Sequence, residues 1–243
     1  MLKNILLSIL VFIFLFSCSK KENDILYIGT YAEDPPYGFF DENGEIAGFD
    51  IDYINAIAEI IGKKIDIKHM TFEGLLPALE SKKIDIAIAG MVSNEQRAKT
   101  VDFSKPYYTG KQAIVVKVDD DSITSLESLT NNKTVAVSLG YLADSIVSGI
   151  NGIKKINRLT SNFACILEIK NNKADAAVMS FASASGFAKT NPEIKVIPIE
   201  STTQHIYIAF RKGDSKLVEE VNRAIDILKE NGIYDTLVEK YFN

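Results

Sequence analysis

Arg97 is the side chain in this sequence best equipped to grip a small acid. It stands seven residues after Gly90 in "AGMVSNEQRAKTVDFS", just past the apolar run "IDIAIAG". A guanidinium is planar, stays charged and offers paired N–H donors, so it can hold a carboxylate through two parallel hydrogen bonds, which an ammonium cannot. The competing reading is a surface ion pair in a solvated loop, which is worth little energetically. What surrounds Arg97 decides between the two.

Reactive constellations of other kinds are missing. The two histidines, His69 and His205, lie far apart in strand-like runs. His69 continues the face of Ile65 and Ile67 and reads as a packing residue. There is no CxxC, HExxH, EF-hand, GxGxxG, GxxxxGK[ST] or GxSxG pattern, so neither a metal, a cofactor nor a serine triad is expected. Asp50 and Asp52 read as solvated or capping carboxylates, Asp50 standing where an N-cap would before the next apolar helix. Cys165, between Ala164 and Ile166, reads as core rather than nucleophile.

The elements that must position Arg97 alternate between short β-rich runs and amphipathic helices, the signature of an α/β architecture. Strands are predicted at 25–29, 64–70 and 84–90, with a hairpin over 39–49 turning at Asn43-Gly44. Ile51, Ile54, Ile57, Ala58 and Ile61 share a helical face that Gly62 ends. A second helix over 74–82 carries Pro77 in its first turn, where proline is tolerated. After "FSKPYYTGK" the pattern restarts, with strands at 112–118, 133–140, 153–159, 174–179, 194–199 and 205–213. Helices fall at 125–129, 141–150, 161–172 and 180–190, and two more close the chain over 214–231 and 232–242. Two similar units joined by strand-like segments near 111–113 and 205–210 suggest two lobes, a hinge and a cleft. Ligands in such sheets bind beyond the C-terminal ends of the strands, and Arg97, Gly140 and Ser180 all fall there.

At 243 residues, 47% hydrophobic and 24% charged, the composition is that of an ordinary globular protein. A net charge of −5 without a basic tract argues against nucleic acid and against electrostatic attraction to anionic lipid. The start differs. "MLKNILLSILVFIFLFSC" has Lys3 followed by an apolar run from Ile5 to Phe16, shorter than the roughly 20 residues of a membrane span and matching a secretory signal. Ser17 directly before Cys18 resembles a lipobox, in which removal of residues 1–17 leaves Cys18 lipid-modified. The alternative is plain secretion with Cys18 unmodified. With Cys18 acylated, Cys165 has no disulfide partner, and the mature chain is held by core burial alone.

The stretches "IGTYAEDPPYGFFDENGEIAGFDIDYINAIAEIIGKKI", "FEGLLPALESKKIDIAIAGM", "EQRAKTVDFSKPYYTGKQAIVVK" and "NGIYDTLVEKYF" resemble bacterial extracellular solute-binding proteins of family 3, the amino-acid receptors of ABC importers. The resemblance spans Ile25 to Phe242. It implies an α/β, two-lobed periplasmic-binding-protein (Venus flytrap) fold with a two-segment hinge. Lobe 1 would comprise 24–111 plus 206–243, and lobe 2 112–205. It further implies an extracytoplasmic, lipid-anchored, monomeric substrate-binding component rather than an enzyme. Its partners would be a small carboxylate ligand, an amino acid above all, an ABC permease, and the membrane through Cys18.

The resemblance carries roles to individual positions. Arg97 would hold the ligand's α-carboxylate, helped by backbone N–H groups of the turn holding Gly90 and Val92, where small residues permit close approach. Phe72 would pack on the ligand side chain, a core position being the alternative. Asn94 would lie near the carboxylate or simply cap the Arg97 helix. Tyr141 and Leu142 would offer helix N-terminal N–H groups on closure.

Three departures stand out. Ser180 replaces the aspartate that usually holds the ammonium, Asp34 replaces an aromatic, and Val92 stands where Ser or Thr is common. Either Asp34 or another acid holds the ammonium, or the ligand lacks one. Tyr31, Tyr37, Phe72, Tyr141 and Met179 lean toward an apolar or aromatic ligand body. Two alternatives remain. One is a secreted cyclohexadienyl dehydratase-like enzyme, which needs a proton donor facing the ligand; Ser180 removes the most obvious one. The other is a sensory ligand-binding module, whose output would need a separate partner because the chain stops at Asn243.

Overall fold

A computed structural model describes residues 25–242. The signal segment and the lipidation of Cys18 lie outside the described residues.

Two five-stranded sheets organise the chain. In the first, β1 (Ile25–Thr30) lies between β4 (Lys64–His69) and β5 (Ile86–Ala87), parallel to both. Beyond β5 come β12 (Ala209–Arg211) and β6 (Val101–Phe103), each pairing antiparallel. One face is covered by α1 (Phe49–Ile61) and α7 (Ser215–Glu230), whose Ile54, Ile57, Val221, Ile225 and Leu228 pack on Ile28 and Ile86. The other is covered by α2 (Phe72–Glu80) through Leu75 and Leu79. α8 (Ile233–Phe242) packs beside α1 and α7, and β2 (Phe39–Phe40) pairs with β3 (Ile46–Ala47) as the predicted hairpin.

The second sheet runs β11 (Ile194–Ile206), β7 (Tyr108–Lys117), β10 (Ala176–Ser180), β8 (Thr134–Ser138), β9 (Lys155–Leu159). Around it lie α4 (Leu142–Ser148), α5 (Asn162–Lys170) and α6 (Phe181–Ala188). β7 and β11 are antiparallel from Lys117↔Ile194 to Tyr108↔Ile206, with an irregularity between Ile199 and Gln204. The crossing segments are stitched together where they leave for the first sheet: the Ser104 N–H donates to Ile208 O at 2.9 Å and the Tyr107 N–H to Ile206 O at 2.9 Å.

Several expectations need correcting. α2 begins at Phe72, so Pro77 sits in the helix interior rather than its first turn. β5 is a strand only over Ile86–Ala87, although the Asp85 and Ile88 N–H groups on either side also bond to β1 and Ile84 to Ala89 is nearly all buried. The runs 194–199 and 205–213 are not two simple strands. β11 passes without a break to Ile206, because Thr202 and Gln204 bond back to β7. The N-cap of α1 is Gly48; Asp50 lies in the first turn, fully buried.

Candidate functional site: the cleft between the sheets

Arg97 belongs to α3 (Glu95–Ala98), a single turn started by Asn94, whose Oδ1 accepts the Arg97 N–H at 2.8 Å. Its guanidinium lies 5.3 Å from the Phe72 ring centre. It donates to Val92 O at 2.7 Å and, across the cleft, to Gly140 O at 3.0 Å. Neither acceptor is charged, and burial pulls the Arg97 pKa below its usual value. A half-buried guanidinium with two carbonyl partners has unspent affinity for a carboxylate.

The turn before Arg97 is held from beneath. Gly90 has φ +58°, and a Cβ there would stand 3.2 Å from the Tyr37 ring. Its N–H donates to Asp50 Oδ2 at 2.8 Å, and the Tyr107 hydroxyl donates to Asp50 Oδ1 at 2.7 Å. The Gly90 N–H is therefore committed to Asp50, whereas the N–H groups of this turn were expected from sequence to help hold a ligand carboxylate. Burial pushes the Asp50 carboxyl up to about 7, against the pull of those two hydrogen bonds.

Asp34 is the second charged group facing the cleft. It is 5% exposed, and its Oδ1 accepts from Asn162 Nδ2 at 2.9 Å across the cleft. Asn162 Oδ1 in turn accepts from the Ser138 hydroxyl at 2.7 Å, which fixes its amide orientation. Burial raises the Asp34 carboxyl to about 6, opposed by bonds to Asn162 and Ser183. Ser180 caps α6, accepting the Ser183 N–H at 3.0 Å.

Tyr141 closes the site. It precedes α4, its N–H donates to Ser138 O at 3.2 Å, and its ring packs on Phe72 with centres 4.2 Å apart. The remaining cavity measures about 20 Å³, room for a water but not for an amino acid. Ligand entry therefore requires the lobes to part or Tyr141 to swing aside.

Asp34, Phe72, Gly90 and Val92 line this cavity together with Arg97, Tyr141, Leu142 and Ser180. Tyr31 does not; it stands behind Phe72, edge-on at 6.4 Å, and stacks on His69 at 6.0 Å. Asn94 is exposed and acts as the cap. Tyr37 and Met179 do line the cavity. Sequence reasoning missed Gln112, Gln204 and Asn162, which also line it. Their signal was faint: Gln112 is one polar residue opening "QAIVVKV", and Gln204 precedes "HIYIAF".

Two α/β lobes joined by paired strands, with a cationic and an anionic side chain facing one cleft, define a two-lobed periplasmic binding protein. The profile of bacterial extracellular solute-binding proteins, family 3, matches residues 26–243, and the chain belongs to that family. A probable histidine-binding protein of Campylobacter jejuni is 34% identical over 94% of this chain and 93% of its own. Among solved structures, an ancestral arginine-binding protein bound to arginine is 42% identical with a TM-score of 0.86, covering 90% of this chain and 99% of its own. An ancestral amino acid-binding protein, a precursor of cyclohexadienyl dehydratase, is 36% identical with a TM-score of 0.84, covering 90% and 96%.

Proposed function

We propose that the protein is the extracytoplasmic receptor of an ABC importer and binds one α-amino acid between its lobes, without turning it over. Arg97 takes the α-carboxylate and Asp34 takes the α-ammonium, a role that the neutral Ser180 cannot fill. The observation that carries this reading is Asp34: a buried carboxylate, lining the same cavity as Arg97, whose charged form has no cation partner among the described residues. An ammonium would supply that partner. Phe72, Tyr141 and Leu142 cover the ligand body, and the permease distinguishes the closed from the open arrangement. Residues 24–111 with 206–243 form one lobe and 112–205 the other. Cys18, once lipid-modified, tethers the protein as a monomer to the membrane.

Titration calorimetry with the common amino acids tests the site, after unfolding and refolding to remove carried-over ligand. Arg97→Ala should lose about 2–5 kcal/mol of binding, the scale of a truncated buried charge pair. Unchanged affinity would remove Arg97 from the site.

Asp34 also favours a second reading. A buried carboxylic acid with a raised pKa is what a dehydratase needs as proton donor. A product-forming assay with cyclohexadienyl acids separates the two: turnover that disappears in Asp34→Asn would make the protein an enzyme, and no product supports the receptor.

A further inference from the structure

Of the described residues lining the cavity, Asp34 and Arg97 carry the only formal charges. On the reading above, both are consumed by the ligand's α-ammonium and α-carboxylate. A charged ligand side chain would then be buried without a counter-ion, which is strongly unfavourable.

The polar groups that remain are unequal. Asn162 is committed at both ends, to Asp34 and to Ser138, and Ser180 is committed as a cap. Gln112 is different. Its backbone N–H donates to Thr202 Oγ1 at 2.9 Å, and its Nε2 donates to Gln204 Oε1. Its side-chain oxygen, however, is buried with no partner among the described residues. The Tyr141 hydroxyl on the same cavity is also without one, but it can either donate or accept, whereas the Gln112 oxygen can only accept. Gln112 is 2% exposed and Gln204 5%. Gln112 pairs in register with Ile199 and Gln204 with Gly110, so the two side chains meet at the irregularity between β7 and β11, the strands that join the lobes. A buried acceptor in a cavity wall calls for a donor. The Phe72 and Tyr141 rings, which line the same cavity, present flat faces suited to a planar group.

We infer that Gln112 reads the ligand's side chain, and that the ligand is an amino acid whose side chain is uncharged and donates an N–H: a carboxamide or a neutral imidazole. Gln204 acts through Gln112 as a positioning residue, holding its amide so that the oxygen faces the cavity. This selection rests on the assignment of Arg97 and Asp34 to the α-groups.

The test is calorimetry at pH 8 on the full refolded protein with glutamine, asparagine, histidine, glutamate, arginine and methionine. At least one of the first three should bind about tenfold or more tighter than each of the last three, the scale of one hydrogen bond withheld from a buried acceptor. Gln112→Leu should shrink that ratio toward one, with a melting curve confirming the fold. Gln112→Glu should shift preference toward arginine by supplying the missing counter-charge. Gln204→Leu should reduce the same ratio, and Gln204→Asn should restore part of it. Arginine or glutamate binding tighter than all three donors, or a ratio unmoved in Gln112→Leu, would overturn the inference while leaving Arg97 and Asp34 in place. Binding by no amino acid would overturn both.

Discussion

Asp34 and Asp50 are both buried carboxylates with raised pKa values, yet they act in opposite ways. Asp34 faces the cavity, and with the ligand's ammonium on it as proposed, its protonation would compete with binding: affinity should fall as pH drops through about 6 and hold steady above it. Calorimetry from pH 8 to 5 reads this directly, and Asp34→Asn should abolish the dependence. Asp50 lies beneath the site and faces Gly90 and Tyr107. Its folded pKa of about 7 exceeds the unfolded value of about 3.9, so the folded state binds the extra proton in between. The stability it contributes is full below the unfolded value and lost as pH rises through about 7. Asp50→Asn should therefore flatten the decline in unfolding free energy between pH 5 and 8; an unchanged slope would contradict the assignment. Arg97 was legible in sequence because its neighbours within sixteen residues carry the pattern. Asp50 was not, because its burial is set by Tyr107 and Gly90, 57 and 40 positions away.

At the level of elements, the sequence marked helices by periodicity and turns by glycine, and most of them fall within a residue or two of their expected places. The failures share a cause: a tertiary contact extends or shortens what local pattern suggests. α2 starts early because Phe72 is buried against the cleft, and β11 continues past Ile199 because Gln112 holds Thr202 and Gln204. Gln112 and Gln204 escaped notice for the same reason, since a hinge glutamine gains meaning only from the strand beside it. Some glycines are set by contacts of this kind too. Gly48 has φ +131°, and a Cβ there would come within 2.3 Å of Tyr37 O. Gly48→Ala should destabilise the protein by about 1 kcal/mol or more, measured by urea unfolding. A loss below the error of that measurement would mean the turn before α1 can relax.

Across the whole molecule, the lobes touch in a closed arrangement. Arg97 reaches Gly140, Asn162 reaches Asp34, and Gly186 in α6 lies against Pro35 from the other lobe. A Cβ at Gly186 would stand 2.9 Å from Pro35 O, so Gly186→Val should prop the lobes apart. Ligand affinity should fall, and the radius of gyration of the ligand-saturated protein should exceed that of wild type by small-angle scattering. Equal values for both would show that closure does not need this contact. The two-lobed plan itself was legible, because the strand–helix pattern restarts midway along the chain. The closeness of the lobes was not, because side chains far apart in sequence set it.

On the proposed reading Arg97 and Asp34 together hold an α-amino acid. Thermal melting of the refolded protein with that amino acid and with its matched carboxylate lacking the amino group checks both contacts at once. At 100 times its Kd a ligand stabilises the fold by about 2.7 kcal/mol, a clear rise in melting temperature. The amino acid should raise it, and its deaminated twin should not. Equal rises with both would show that Asp34 holds no ammonium.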